Sequence, residues 1–240
     1  EFAADYLDTA RFAAKNSRPA GEAMYMTALV YDWCYDLLTD EQKEDFIWHL
    51  EKLARVLEIG YPPANGSSLV THACEAMLFR DMLSAGIAIY DEEPRMYELA
   101  ARRLFKEMIP AFNFTYESGA VLSGTDYGIY RHGFELIAAK LFDAMGKGPI
   151  FSEKQAEVPY YFLYMRRPDG QLMRDGDNYG QDYSINKYWA TTQSMMAYLL
   201  SASLYRDPYV NYYAFRELNP DIGGMNGYIP VETLLFADPS

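Results

Sequence analysis

Two pairs of ionisable side chains in this chain are each spaced by one helical turn: His72 with Glu75, and Tyr127 with Arg131. A carboxylate three residues after a histidine shares a helix face with it, favours the imidazolium and can orient the ring. A guanidinium four residues after a tyrosine lies on the same face as the phenol. Free tyrosine loses its proton near pH ~10, and a neighbouring cation favours the phenolate, so such a Tyr can act as a base nearer neutral pH. Either pair can also serve helix stability alone. Both fall where a loop enters a helix, His72 after the NGSS turn and Tyr127 within SGTDYGIYRH. In antiparallel helical hairpins such rims line one cavity, where the four groups are expected to converge.

The elements that must carry these pairs are helical. Apolar residues recur at three and four through most of the chain, and no β alternation precedes the tail from 218. The spacing predicts helices over 3–15 and 22–38, separated by Pro19 and Gly21. Thr39 or Asp40 caps a third, with Phe46, Ile47, Leu50, Leu53, Ala54 and Leu57 along one stripe. The loop YPPANGSSL feeds a helix over 69–89, and Pro94 opens another that ends near 109, before Pro110. A loop is predicted for 110–125 and a helix for 126–145. Ser152 and Gln155, at capping-box spacing, start a helix to 166. A turn-rich stretch over 167–184 leads to helices over 185–204 and 208–217. The expected fold is all-α, a complete or partial α/α toroid of antiparallel hairpins over 1–217. Residues 218–240 read as a linker or the start of a following domain.

Composition limits the classes of function. With 240 residues, half of them apolar, the chain can bury a sizeable core. Its net charge of -13 argues against sequence-independent nucleic-acid binding, which rests on a basic surface. No apolar run reaches the roughly 20 residues of a membrane helix. Cys34 and Cys74 are too few for a disulfide framework or a Cys-based zinc site, and read as small buried side chains. His49, in mid-helix, reads as structural. The 22 Tyr supply apolar faces with polar tips. The chain opens EFAADYLDTARF, without a leader pattern, and reads as a segment of a longer protein.

HACE at 72–75 and DYGIYR at 126–131, after an aromatic, Pro-rich NGSS loop, resemble the heparinase II/III-like polysaccharide lyases, most closely the heparinase II type. YDWCYDLLTDEQKEDF at 31–46 is similar to the helix pair before the site in that family, and the resemblance covers residues 20–190. It implies cleavage of a uronic-acid glycosaminoglycan, such as heparin or heparan sulfate, by β-elimination. The weakly acidic C5 proton leaves once the uronate carboxylate is neutralised, and an acid protonates the departing oxygen. By resemblance Tyr127 is general base or acid, and His72 a second base or carboxylate ligand. Glu75 is then the neutraliser, and Arg131 tunes Tyr127 or holds the substrate. Asn65, Tyr61, Arg174 and Tyr116 are the further substrate-binding candidates. The family adds a β-sandwich with a further His and a structural metal, expected outside this segment. No metal or other cofactor is expected within it, and the expected location is periplasmic or secreted.

Other readings stay open. Alginate lyases share a His and a Tyr, although Thr71 stands where an Asn commonly precedes the His. An α/α glycoside hydrolase would pair Asp126 with Asp175 or Asp177. Asp175, Asp177 and Asp182 can also be read as oxygen ligands for a cation, or as a plain turn. A non-catalytic carbohydrate-binding domain would stack sugars on Tyr61, Phe112 or Tyr116.

Overall fold

The structure, a computed structural model, describes residues 17–62, 75–121, 123–168, 172–173, 175 and 192–214. These residues are all-α, and the only β pairing among them is an isolated antiparallel bridge between Arg166 and Leu172. They gather into two units, Glu1–Pro110 and Ala111–Ser240.

In the first unit, α1 (Ser17–Trp33) is followed by a 3-10 turn, Tyr35–Leu37, and α2 (Asp40–Val56). Pro19 and Gly21 lie within α1, and the helix predicted over 3–15 lies outside the described residues. Of the two predicted caps, Thr39 is the one that caps α2: its hydroxyl accepts from the Gln42 N–H, and the Gln42 side chain accepts from the Thr39 N–H. Leu50, Leu53, Ala54 and Leu57 of the expected stripe are buried, while Phe46 and Ile47 are half-buried. His49 is buried next to Asp45, in the structural place expected of it.

A π-helical segment, Ala76–Met82, runs into α3 (Leu83–Ala88), which packs on α4 (Pro94–Arg103) across a short turn. Pro94 stands in the first turn of α4, and the Glu93 side chain accepts from the Arg95 N–H. The core of this unit includes Met24, Leu50, Phe79, Met82, Leu83 and Met96, each large buried side chain contributing roughly 1.5–3 kcal/mol.

The loop predicted from 110 is helix as far as Tyr116. After a second π segment, Leu104–Met108, comes α5 (Ile109–Tyr116), with Pro110 in its first turn. The Ile109 N–H bonds the Leu104 carbonyl, five residues back. This wider turn immediately precedes the ring that an unbroken α-helix would crowd, so the chain continues where a proline stop is expected.

The second unit contains α6 (Gly124–Ala144), a 3-10 turn Glu153–Glu157, α7 (Val158–Tyr164), α8 (Thr192–Tyr205) and α9 (Pro208–Tyr212). Helix α6 packs along α8, and α8 also meets α7 and α9. Its core includes Phe134, Ile137, Phe151, Phe162, Leu199 and Leu200. Ser152 does not cap with its side chain, contrary to the predicted box, because Gln155 turns inward and is fully buried. No helix among the described residues is long and apolar enough to cross a membrane.

Candidate functional site

Helix α6 presents Tyr127 and Arg131 near its N-terminus, both half-buried. The Arg131 guanidinium lies over the Tyr127 ring, its Cζ 4.7 Å from the centroid. Its Nη1 donates to Ser123 Oγ at 2.9 Å. The expected proximity of cation and phenol is therefore a stacking contact on the ring face, with the other end of the guanidinium tied to the start of the helix.

That tie changes how the helix is capped. Ser123 holds the N-cap position, yet it makes no capping bond. Asp175 takes over from far along the chain. Its Oδ1 accepts from the Thr125 N–H at 2.8 Å and from Thr125 Oγ1 at 3.0 Å, and its Oδ2 accepts from the Tyr161 hydroxyl. A carboxylate at a helix N-terminus is favoured by both the free N–H groups and the helix dipole. Gly124 permits the approach: its φ is +66°, and a Cβ there would fall 2.9 Å from Asp175 Oδ1. Burial, then the hydrogen bond to Asp175, pushes the Tyr161 phenol above the ordinary tyrosine range. Asp175, a nominee for hydrolase chemistry or a cation, is thus engaged by donors from α6 and α7, the Thr125 hydroxyl being shared with the Met173 carbonyl at 2.9 Å. The Asp126 side chain, Asp177 and Asp182 lie outside the described residues.

Deeper along α6 is a polar network that the spacing arguments passed over. His132 Nδ1 lies 3.0 Å from Glu135 Oε2, and the same oxygen accepts from the Tyr116 hydroxyl. Gln155 Nε2 donates to the Tyr116 oxygen at 3.4 Å, and the Tyr205 hydroxyl donates to Gln155 Oε1. The chain of bonds links α8, the 3-10 turn, α5 and α6. With Glu135 as carboxylate, His132 carries its proton on Nδ1, leaving buried Nε2 without a hydrogen-bond partner among the described residues. Burial, then the Glu135 charge, holds the Tyr116 phenol well above its usual range.

Tyr116 is therefore placed differently from its predicted sugar-stacking role. It is 2% exposed, and Phe112 and Phe151 pack on its ring. Phe112 is buried as well. Both belong to a helix facing the core, not to an open aromatic loop. A signal for the network did exist: His132-Gly-Phe-Glu135 repeats the His-x-x-Glu spacing of 72–75.

In the first unit, Glu75 is 1% exposed and directly precedes the π segment. The same segment carries a buried pair, Arg80 Nε to Asp81 Oδ1 at 2.6 Å, with the Arg80 guanidinium 5.3 Å from the Tyr25 ring centroid. Gly21 of α1 packs so closely that a Cβ would fall 2.0 Å from Asp81 Oδ2. The interruption of the apolar run AMLFRDML by Arg80 and Asp81 is the trace this pair leaves in the sequence. Tyr61 is half-buried, its hydroxyl without a hydrogen-bond partner among the described residues. Burial, then the charges of Glu51 and Glu93, raises its phenol above the usual value. His72, Asn65 and Arg174 lie outside the described residues. No group of three or more His, Cys, Asp and Glu among the described residues is arranged to hold a metal ion.

No protein-family model matches the chain, and a search of curated proteins finds no match.

Proposed function

We propose that this chain carries part of a polysaccharide lyase that cleaves a uronic-acid polymer of the heparin or heparan sulfate kind by β-elimination, with Tyr127 as the proton-transferring group. The observation that carries this reading is the half-buried phenol in the opening turns of α6, with the Arg131 guanidinium over its ring and anchored on Ser123. Anchoring the guanidinium on Ser123 keeps a positive neighbour beside the phenol ring. A group that takes a proton from C5 and a guanidinium that can attract the uronate carboxylate are what the reaction requires.

The resemblance in the HACE and DYGIYR segments adds the remaining roles: Glu75 neutralises the substrate carboxylate and His72 acts as a second base or ligand. Burial of Glu75 is compatible with a carboxyl group that works in its protonated form. The toroid belongs to the same proposal, supported by the sequence of helices joined by short turns, α1 to α2 and α3 to α4, each packed on its neighbour. A periplasmic or secreted location goes with it.

The test is the ultraviolet absorbance of the unsaturated uronyl product, followed with heparin, heparan sulfate and alginate and the longest available form of the protein. Absorbance that rises with one of these polymers and disappears in Tyr127→Phe supports the reading. Absence of product from all three, or full activity of Tyr127→Phe, overturns it.

A further inference from the structure

One edge of the second unit is unusually rich in exposed tyrosine. Tyr164, at the end of α7, is 83% exposed, and Tyr209, in the first turn of α9, is 70% exposed. Tyr212 follows three residues later with about half its surface open. Asp207 draws these helices together. Its Oδ1 caps α9 by accepting from the N–H groups of Tyr209 and Val210, at 2.9 and 3.1 Å. Its Oδ2 accepts from the Tyr160 hydroxyl at 2.6 Å, and Tyr160 lies one turn before Tyr164 on α7. Burial and the bond to Asp207 are the main causes that push the Tyr160 phenol up to about 12, with the nearby phenols of Tyr209 and Tyr164 adding to them. The donor therefore stays protonated at neutral pH and the corner stays pinned.

A cation stands at this corner. Arg206 is exposed, and its side chain has no hydrogen-bond or ion-pair partner among the described residues. It occupies the left-handed region, φ 53°, where glycine is usual after a helix.

We propose that Tyr164, Tyr209, Tyr212 and Arg206 form a second saccharide-binding surface, apart from Tyr127 and Arg131, that takes an acidic polysaccharide. Flat phenol rings offer apolar faces to the C–H side of a pyranose and hydroxyls to its rim, and an unpaired guanidinium matches a uronate carboxylate. The exposed stripe on the first unit, Met26, Val30, Trp33 and Leu37, offers neither hydroxyl nor charge and has no such reading. Helix α7 ties the surface to the catalytic reading, since Tyr161, next to Tyr160, holds Asp175 at the start of α6. The choice of an acidic saccharide rests on the polysaccharide-lyase proposal above.

The test is affinity electrophoresis of the full chain in native gels containing heparin or alginate. The wild type should be retarded in at least one, and Tyr164→Ala/Tyr209→Ala should need roughly tenfold more polymer for the same retardation. Arg206→Gly should weaken retardation while leaving the melting temperature unchanged or higher, because glycine suits that backbone. No retardation of the wild type in either gel, or equal retardation of the double variant, overturns the proposal. Product absorbance decides the lyase reading separately: binding without elimination sinks that reading alone, and elimination with tyrosine-independent retardation sinks only the surface.

Discussion

Helix α6 carries two carboxylate-centred clusters with opposite designs. At its N-terminus Asp175, itself exposed, receives Thr125 and Tyr161 close to the half-buried Tyr127, Arg131 and Ser123. Farther along, Glu135 receives Tyr116 and His132 where exposure is 2% or less. Both use tyrosine donors on a carboxylate. The first leaves a phenol and a guanidinium within reach of solvent, while the second spends its donors on one another. In the interior each unmade bond costs the full desolvation of the group, so the inner cluster specifies how α5, α6 and α8 pack. At the rim water can replace a lost partner, which frees side chains for a ligand.

The largest effect should come from the rim and be chemical. Tyr127→Phe is expected to lower uronate elimination by roughly 10²–10⁴-fold while shifting the unfolding midpoint little, measured by product absorbance and urea titration. If stability falls instead, the rim is structural and the contrast disappears.

Next in size is the interior. Glu135→Gln keeps the side-chain volume but removes the charge that Tyr116 and His132 share, and should destabilise the protein by about 3 kcal/mol in urea titration. A change below about 0.5 kcal/mol would mean that the network contributes little to packing.

Asp175→Ala should cost about 1–2 kcal/mol, because it removes a helix cap and leaves the N–H of buried Thr125 without that acceptor. Amide exchange should then quicken in the first turn of α6 and stay unchanged around Glu135.

The smallest effect is alkaline. Because the Tyr160 pKa is raised in the folded state, its contribution is complete below the unfolded tyrosine value of about 10 and is lost as pH rises through about 12. Urea midpoints should decline across that window, with a shallower slope in Tyr160→Phe. An unchanged slope would show that the Asp207 bond does not hold Tyr160 protonated.

Legibility in the sequence followed range. The Thr39 cap and Pro94 start are local devices, and both were readable from a few adjacent residues. The stretch after Pro110 misled because proline normally stops a helix, and the π turn that accommodates it leaves no pattern of its own. Ser152 and Gln155 had the spacing of a capping box, but partners thirty-nine and fifty residues away drew Gln155 inward. The His-x-x-Glu spacing at 132–135 is a bonded pair, while His72 of the other such spacing lies outside the described residues.

By itself the sequence determined helix periodicity, the starts of α2, α4, α6 and α9, and the one-turn spacing that sets Tyr127 beside Arg131, because these depend on residues within a turn or two. Tertiary structure alone decided that Asp175 rather than Ser123 caps α6, that Tyr116 points into the core, and that Asp207 gathers Tyr160 and Tyr209 at one corner. These contacts join groups far apart in the chain, and only packing determines which distant donor reaches which carboxylate.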